Sequence, residues 1–594
     1  MLDQRGPQNV NGKPFGNMDH ADERTPLIPA GPSTVDTSQE VRVDADPDHG
    51  HDSGKSQTDP SDGHTAANQS IAFTRGIICT LALGCLVFLQ ATNISMLTTT
   101  QSHIADALDA YEKTSWFTSS YLIAMSALSP LNGKLASVFP PRVCIFASTV
   151  ILAIGVGISS IATTFEVFVA GRAITGIGAS GVFTISIIIV LELTGSKWRG
   201  IGIGLLNSGY TVGVAVGATA AGALLPIIGW RALFWAQAPV SVAAGAVLLF
   251  AIPHDFTAGK QDDNGHTTLK RLARLDYIGA ATLTVAIVLV LFALSSPKHI
   301  PVLPIILSAV VLGTFVLNEI YLACDPIIPV SLLRSRGLLL TCLGTVGYMM
   351  ARWCVLFYAP TYALAVRQWS PATAGSILIP TNGGFALGGL LVGWFHIRRH
   401  GSFYIACIVV YALFPVTLVL LSVLSTQHSS PTLFVLTVLV CGAVTGAALN
   451  YTLAHLLHLT PKSTHYIATS LVATFRGFAG SFGSAIGGGL FTRTLYTSLT
   501  DQFNERSMKH EDWLVRRLLG SPALVRDLAG AEQEVAIAGY ETALRTLWLA
   551  AAGLAALTVF VQAGTGWRAP PEDSVLEQEG DVLERSDTDS AEGE

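Results

Sequence analysis

Charged residues are scarce. Asp, Glu, Lys and Arg make up 13% of the 594 residues against 50% hydrophobic, where a soluble globular chain carries about 25% charge. That shortage excludes the string of soluble domains that the length alone would suggest. The eight cysteines include no CxxC pair, and Cys79, Cys85, Cys144, Cys342, Cys354, Cys407 and Cys441 fall within or beside apolar runs, so neither zinc nor a disulfide framework is expected. No Ser/His/Asp, metal-ligand or phosphate-loop constellation is present, so an enzyme is not expected, nor any cofactor or metal. The formal net charge of −6 gathers largely in the two tails. No basic stripe offers a surface to nucleic acid.

What the chain has in abundance is apolar runs of about 20 residues, the length that crosses a bilayer as a helix. Residues 1–70 are rich in Gly, Pro, Asp, Ser and His and have no apolar period, so they read as a disordered tail. Spanning helices are predicted over 76–98, 116–138, 143–161, 165–191, 200–225 and 233–252. After a polar loop at 254–275 come two more, 278–294 and 302–322. A last set of six follows over 337–362, 371–395, 403–424, 433–456, 466–491 and 546–563. The expected fold is therefore an all-α integral membrane protein of about fourteen spanners. It divides into a first half (71–253), two accessory helices (276–322), a second half (323–565) and an acidic tail (566–594). Basic residues in short loops favour the cytosol. With a cytosolic amino terminus, Lys134 and Arg142, Lys197 and Arg199, Lys260 to Arg274, Arg334 and Arg336, Arg398 and Arg399, and Lys462 all fall inside. Both termini are then cytosolic, and the long segment 492–545 faces the other side. Within it Trp513, Leu514, Leu518, Leu519, Leu524 and Val525 predict short amphipathic helices that lie on the membrane or cap the protein.

Three motifs sit on the first half. Gly204, Gly213, Gly217 and Gly222 recur on the fifth spanner, and small residues at such intervals let helices approach closely. Gly171, Arg172, Gly176, Gly178 and Gly181 lie on the fourth. Between the second and third spanners runs Gly133-Lys134-Leu135-Ala136-Ser137-Val138-Phe139-Pro140-Pro141-Arg142. Together these resemble the antiporter signature, the Arg-bearing motif and the cytosolic gating loop of drug:proton antiporters in the major facilitator superfamily. Ala218 stands where that family usually has Pro, and Ser137 and Pro140 stand where its gating loop has Asp and Gly. Glu192, at the cytosolic end of the fourth spanner, is the acidic residue on the right side to partner Arg142. The family implies two six-helix halves that rock about a midplane site, with a proton gradient as driving force and a monomer as the working unit.

Asp325-Pro326-Ile327-Ile328-Pro329, Arg476-Gly477 with Gly480 and Gly483, and the long loop before the last helix resemble the fungal branch containing vacuolar basic amino acid transporters. Those transporters place an Asp in the first spanner, whereas this chain has Gln90, Thr92, Asn93 and Ser95. A central carboxylate would suit a cationic side chain. Here the ionisable residues within spans are Arg172, Arg352, Arg476 and His455, a set that suits a carboxylate-bearing or neutral amphipathic solute. Asn93, Arg172, Arg352 and Arg476 are accordingly the candidate substrate or coupling residues. Structural pairing is the competing reading of each arginine. Gly133, Arg142, Glu192, Gly204, Gly213, Gly217 and Gly222 are candidates for gating and helix packing. Glu23-Arg24-Thr25-Pro26-Leu27-Ile28 resembles an acidic dileucine signal, with Glu23, Leu27 and Ile28 contacting a sorting adaptor complex. The expected function is proton-coupled transport of amino acids or small amphipathic solutes across a fungal vacuolar membrane. The alternatives are a plasma-membrane drug or metabolite exporter, and a non-transporting sensor.

Overall fold

The computed structural model describes residues 61–193, 195–252, 276–296, 300–323, 335–396, 403–460, 465–506 and 512–566. Among them are 17 α-helices and two 3-10 turns. In chain order these helices are α1 (Ser61–Ser95), α2 (Leu97–Ala107), α3 (Ser115–Val138), α4 (Pro141–Ile161), α5 (Phe165–Leu193), α6 (Gly195–Trp235) and α7 (Gln237–Ala251). Next are the accessory pair α8 (Tyr277–Leu294) and α9 (Val302–Tyr321). The rest are α10 (Arg336–Ala365), α11 (Pro371–Ser376), α12 (Leu378–Phe395), α13 (Tyr404–Leu424), α14 (Pro431–Leu459), α15 (His465–Glu505), α16 (Asp512–Gly520) and α17 (Gly530–Ala563). The tail carrying Glu23, Leu27 and Ile28, the loop 254–275 and the tail beyond 566 lie outside the described residues.

Among the described residues, eleven helices are long and apolar enough to cross a membrane. The remaining three predicted crossings correspond to α3, to α15, and to the end of α6 continued by α7. At about 1.5 Å per residue, the 24 residues of α3 reach about 36 Å, enough for a hydrocarbon core of about 30 Å. Serines and threonines of α3 and α15 that face other helices lower the mean hydropathy of both. The fold is all-α, as expected.

Besides the start of α1 at Ser61, which makes residues 61–70 helical where a disordered tail was expected, three boundaries differ from the expectation. The first spanner stops at Ser95, and the chain resumes as α2 after Met96. The fifth and sixth spanners are joined by one helix that breaks at Gly229, whose φ of 73° is open to glycine. The third difference is the largest. The segment 492–545, expected as a loop, is mostly the projecting ends of two spanning helices: α15 continues to Glu505 and α17 starts at Gly530. Leu495, Leu499 and Phe503 of α15 are buried in the same cluster as Val535, Ala536, Tyr540 and Ala543 of α17. The helices stay wound beyond the apolar belt because they continue to pack on each other, a contact that a hydropathy window does not register. Beyond these ends α16 caps the bundle with Leu514, Leu518 and Leu519 buried.

Each half has its own core. One buried cluster draws on α1 to α7, and another on α10 to α17. Trp353, partly buried, packs against both, which marks the seam between them. We call the end of the bundle that carries α16 the strap end. Across the seam Ser126 Oγ donates to the Gly477 carbonyl at 3.0 Å, and Ser119 and Ser484 hydroxyls lie 3.3 Å apart. Nearer the strap end, and within the first half, Thr99 Oγ1 donates to the Ala218 carbonyl at 3.2 Å. There the backbone of Pro371 and Ala372 lies directly over Gly222, where a Cβ would come within 2.6 Å of Pro371.

Candidate substrate site

The four candidate substrate residues separate into two places. Asn93 and Arg172 belong to the interior of the first half. Arg172 is fully buried; its Nε donates to the Phe117 carbonyl at 2.9 Å and its Nη1 to Asn93 Oδ1. Asn93 Nδ2 in turn donates to Gln237 Oε1 at 2.9 Å. The guanidinium carbon lies 4.6 Å from the centre of the Tyr121 ring. One arginine thus ties together the helices of the first, second, fourth and sixth spanners. Cavity-facing chemistry is a weaker description of it than a packed polar joint, although Nη2 has no partner.

Arg352 and Arg476 lie at the seam. Arg352 is midway along α10, and its Nη2 donates to Asn382 Oδ1 at 3.0 Å. Asn382 is itself held, donating from Nδ2 to the Leu378 carbonyl at 3.0 Å. The Phe385 ring centre is 4.0 Å from the Arg352 guanidinium carbon. The arginine is only 8% exposed, yet its Nε has no hydrogen-bond partner. Arg476 lies on α15, and Tyr210 of α6 packs with Trp353 of α10 against a buried cluster that draws Ala91, Val214 and Ala218 from the first half and Leu356 and Leu378 from the second. Tyr210 comes from the first half and Trp353 from the second, so the cluster straddles the seam. Two aromatic pairs lie on the helices that meet there. Trp353 stacks on Phe357 with centroids 5.4 Å apart, and Phe183 packs edge-on to Tyr210 at 5.9 Å. Gly480 and Gly483 on α15 make the room for Trp353, since a Cβ at either would come 3.2 or 2.8 Å from it.

Two guanidiniums in a low-dielectric site repel one another and are costly to bury, so an anion between them is the natural complement. A carboxylate accepts from the planar fork of Arg in a way that Lys does not reproduce.

The glycine candidates also divide. Gly213 and Gly217 press α6 onto α1: a Cβ would come 2.7 Å from Ala91 Cβ at the first, and 2.5 Å from Ser95 Oγ at the second. Gly222 presses α6 onto the second half, as described. Gly133 is different, because a Cβ there would meet only Thr184 Cγ2 at 3.6 Å, an ordinary contact. Arg142 is half-buried at the start of α4. The surroundings of Glu192 and Gly204 lie outside the described residues, so the Arg142–Glu192 pairing does too.

Two helical halves meeting at a seam with a central polar group match a known architecture, and the family model described as Major Facilitator Superfamily matches residues 83–484. This chain belongs to the major facilitator superfamily. A facilitator of Cochliobolus lunatus, MFS-type transporter clz4, is 26% identical over 87% of this chain and 91% of its own length. Multidrug resistance protein fnx1 of Schizosaccharomyces pombe is 24% identical over 77% of this chain and 86% of its own. Vacuolar basic amino acid transporter 1 of Saccharomyces cerevisiae is 29% identical over 52% of this chain and 54% of that protein. Among solved structures, a bacterial homolog of the human lysosomal transporter Spinster superposes with a TM-score of 0.55 at 14% identity, covering 84% of this chain and 99% of that one. That likeness is one of fold.

Sequence reasoning missed Tyr210, Trp353 and Asn382. Trp353 adjoins Arg352, and Tyr210 lies inside the glycine run, so each had a positional signal. Neither residue type is unusual in a spanner, and only the seam selects them.

Proposed function

We propose that this facilitator is a proton-driven secondary transporter of small amphipathic solutes bearing a carboxylate, amino acids among them, across a fungal vacuolar membrane. The observation that carries the reading is Arg352: a buried guanidinium on α10, held in place by Asn382 and Phe385, whose Nε has no hydrogen-bond partner. In this reading the substrate carboxylate bridges the two arginines and the Tyr210 hydroxyl, while Trp353 and Phe357 cover its apolar body. Arg172 and Asn93 hold the first half rigid as it rocks. With the amino terminus in the cytosol, the strap end faces the vacuolar lumen, and the likeness to the vacuolar basic amino acid transporter supports that membrane.

Proteoliposomes of the purified chain test it. With an imposed pH gradient, 3-phenylpropionate should be transported and 3-phenylpropionamide should not. Arg352→Gln and Arg476→Gln should each raise the half-saturating concentration at normal protein level. Transport of the amide at the rate of the acid, or wild-type kinetics in both variants, removes the carboxylate site; transport indifferent to the gradient removes the proton coupling. Export at the plasma membrane is the second reading, favoured by relatives named efflux pump apf11 and multidrug resistance protein fnx1. Localisation of a tagged full-length chain decides between the two membranes.

A further inference from the structure

The cap at the strap end belongs to one half on its inner side and to the other on its outer side. Its inner side is fixed to the second half. Leu514, Leu518 and Val525 are buried in that half's cluster, the Tyr540 hydroxyl donates to the Leu518 carbonyl, and Gln533 Nε2 donates to the Val525 carbonyl at 3.0 Å. The outer side of α16 presents Arg516 and Arg517. Both reach acidic residues of the first half, at the end of α2 and on its connection to α3. Arg517 Nη2 lies 3.3 Å from Asp106 Oδ1, and Arg516 lies 3.5 Å from Asp109 Oδ2 and 3.9 Å from Glu112 Oε1. Arg516 Nη2 also donates to the Asp109 carbonyl at 3.3 Å. Asp109 sits in the left-handed region with φ 46°, a conformation that Asp tolerates better than most side chains.

The same connection is braced from behind. Tyr111 donates its hydroxyl to Asp106. Burial, then the Asp106 carboxylate that accepts this bond, push the phenol above its usual range, so it stays a donor at physiological pH. Gly520 lies against the Tyr111 backbone, where a Cβ would come 2.5 Å from its Cα. A groove of about 730 Å³ between the two parts is lined by the ion-paired residues together with Trp513 and Tyr496.

We propose that α16 is a latch, riveted to the second half, that holds the strap end of the transporter shut through the ion pairs of Arg516 and Arg517 with Asp106, Asp109 and Glu112. These are positioning residues: they touch no part of the seam site, and they set how often the strap end opens during alternating access. The pairs are well suited to a reversible contact. Their side chains are 37–74% exposed, and an exposed pair is worth up to about fivefold in an equilibrium. Such a latch biases the closed state without locking it.

Double electron–electron resonance on the full chain tests the latch directly. Spin labels at Thr163→Cys in the first half and His428→Cys in the second, both exposed at the strap end, report their separation. The unaltered latch should give mainly the short distance. Arg516→Glu with Arg517→Glu should lower the closed-to-open ratio by about threefold to twentyfold. Adding Asp106→Arg, Asp109→Arg and Glu112→Arg should restore the short distance, which a merely structural role for α16 would not do. An unchanged distribution in the reversed pair, or failure of the five-residue swap to restore it in monodisperse protein, overturns the proposal. If the reversed pair does not accumulate, Arg516→Gln with Arg517→Gln reads the same equilibrium. Salt at 1 M, which shortens screening to about 3 Å, must also lower the closed fraction of the unaltered latch; indifference to both overturns it. None of these outcomes depends on the identity of the transported solute.

Discussion

Gly217→Ala isolates the packing of α6 on α1. The added methyl would sit 2.5 Å from Ser95 Oγ and 2.7 Å from Thr92 Cα, whereas non-bonded carbons rest about 3.5–4.0 Å apart. Ser95 can rotate aside. Thr92 Cα is backbone, so the two helices must part by about 1 Å. Overpacking of that kind costs about 1–3 kcal/mol, while replacing a mid-helix glycine by alanine returns about 0.8–1.0 kcal/mol of helix propensity. Gly133→Ala earns the same propensity term but meets only Thr184 Cγ2 at 3.6 Å. The difference between the two variants therefore reports packing alone. Gly217→Ala should be about 1–3 kcal/mol less stable than Gly133→Ala, and Gly133→Ala should equal or exceed the unaltered chain. Unfolding by graded SDS in mixed micelles, followed by circular dichroism, measures both. Equal midpoints for the two alanines would refute the close approach at Gly217.

Arg172→Lys keeps a charge but cannot serve both Asn93 and the Phe117 carbonyl, so it should lower stability by about 1–3 kcal/mol in the same assay; an unchanged midpoint would reassign Arg172 away from the joint. Trp548→Phe removes the bond from Trp548 Nε1 to Ser425 Oγ, 2.9 Å long and fully buried. The expected loss is about 1 kcal/mol, and a double cycle with Ser425→Ala should show the two effects to be non-additive. Glu534→Cys, at an exposed site of the strap end, should react with an impermeant maleimide only from the non-cytosolic side; labelling from the cytosol would invert the proposed orientation. Leu27→Ala with Ile28→Ala should move the protein to the cell surface with no change in melting temperature, and unchanged imaging would remove the sorting role of that tail.

Most of the architecture was legible because membrane solvation leaves a one-dimensional record. Lipid demands about 20 apolar residues per crossing, so eleven spans appear as runs in the composition, and α3 and α15 are also found once their length is weighed above their polarity. The record fails where packing replaces lipid as the partner. The ends of α15 and α17 stay helical through Leu499, Tyr540 and their neighbours, although the intervening polar residues make the stretch read as a loop.

Side-chain roles divide along the same line. Residue order alone established that Arg172, Arg352 and Arg476 are buried cations in need of compensation, because their cost in lipid follows from residue type and depth. It also determined that the glycines of α6 permit close helix contact. Helix packing is what makes Arg172 a joint inside one half while Arg352 bonds Asn382 of another helix, and what presses Gly217 where Gly133 is free. The same holds for Arg516 and Arg517, which meet acids about 400 residues earlier in the chain. The reason is physical: burial in lipid depends on local composition, whereas pairing depends on which helices become neighbours, and that is fixed only when all the helices pack together.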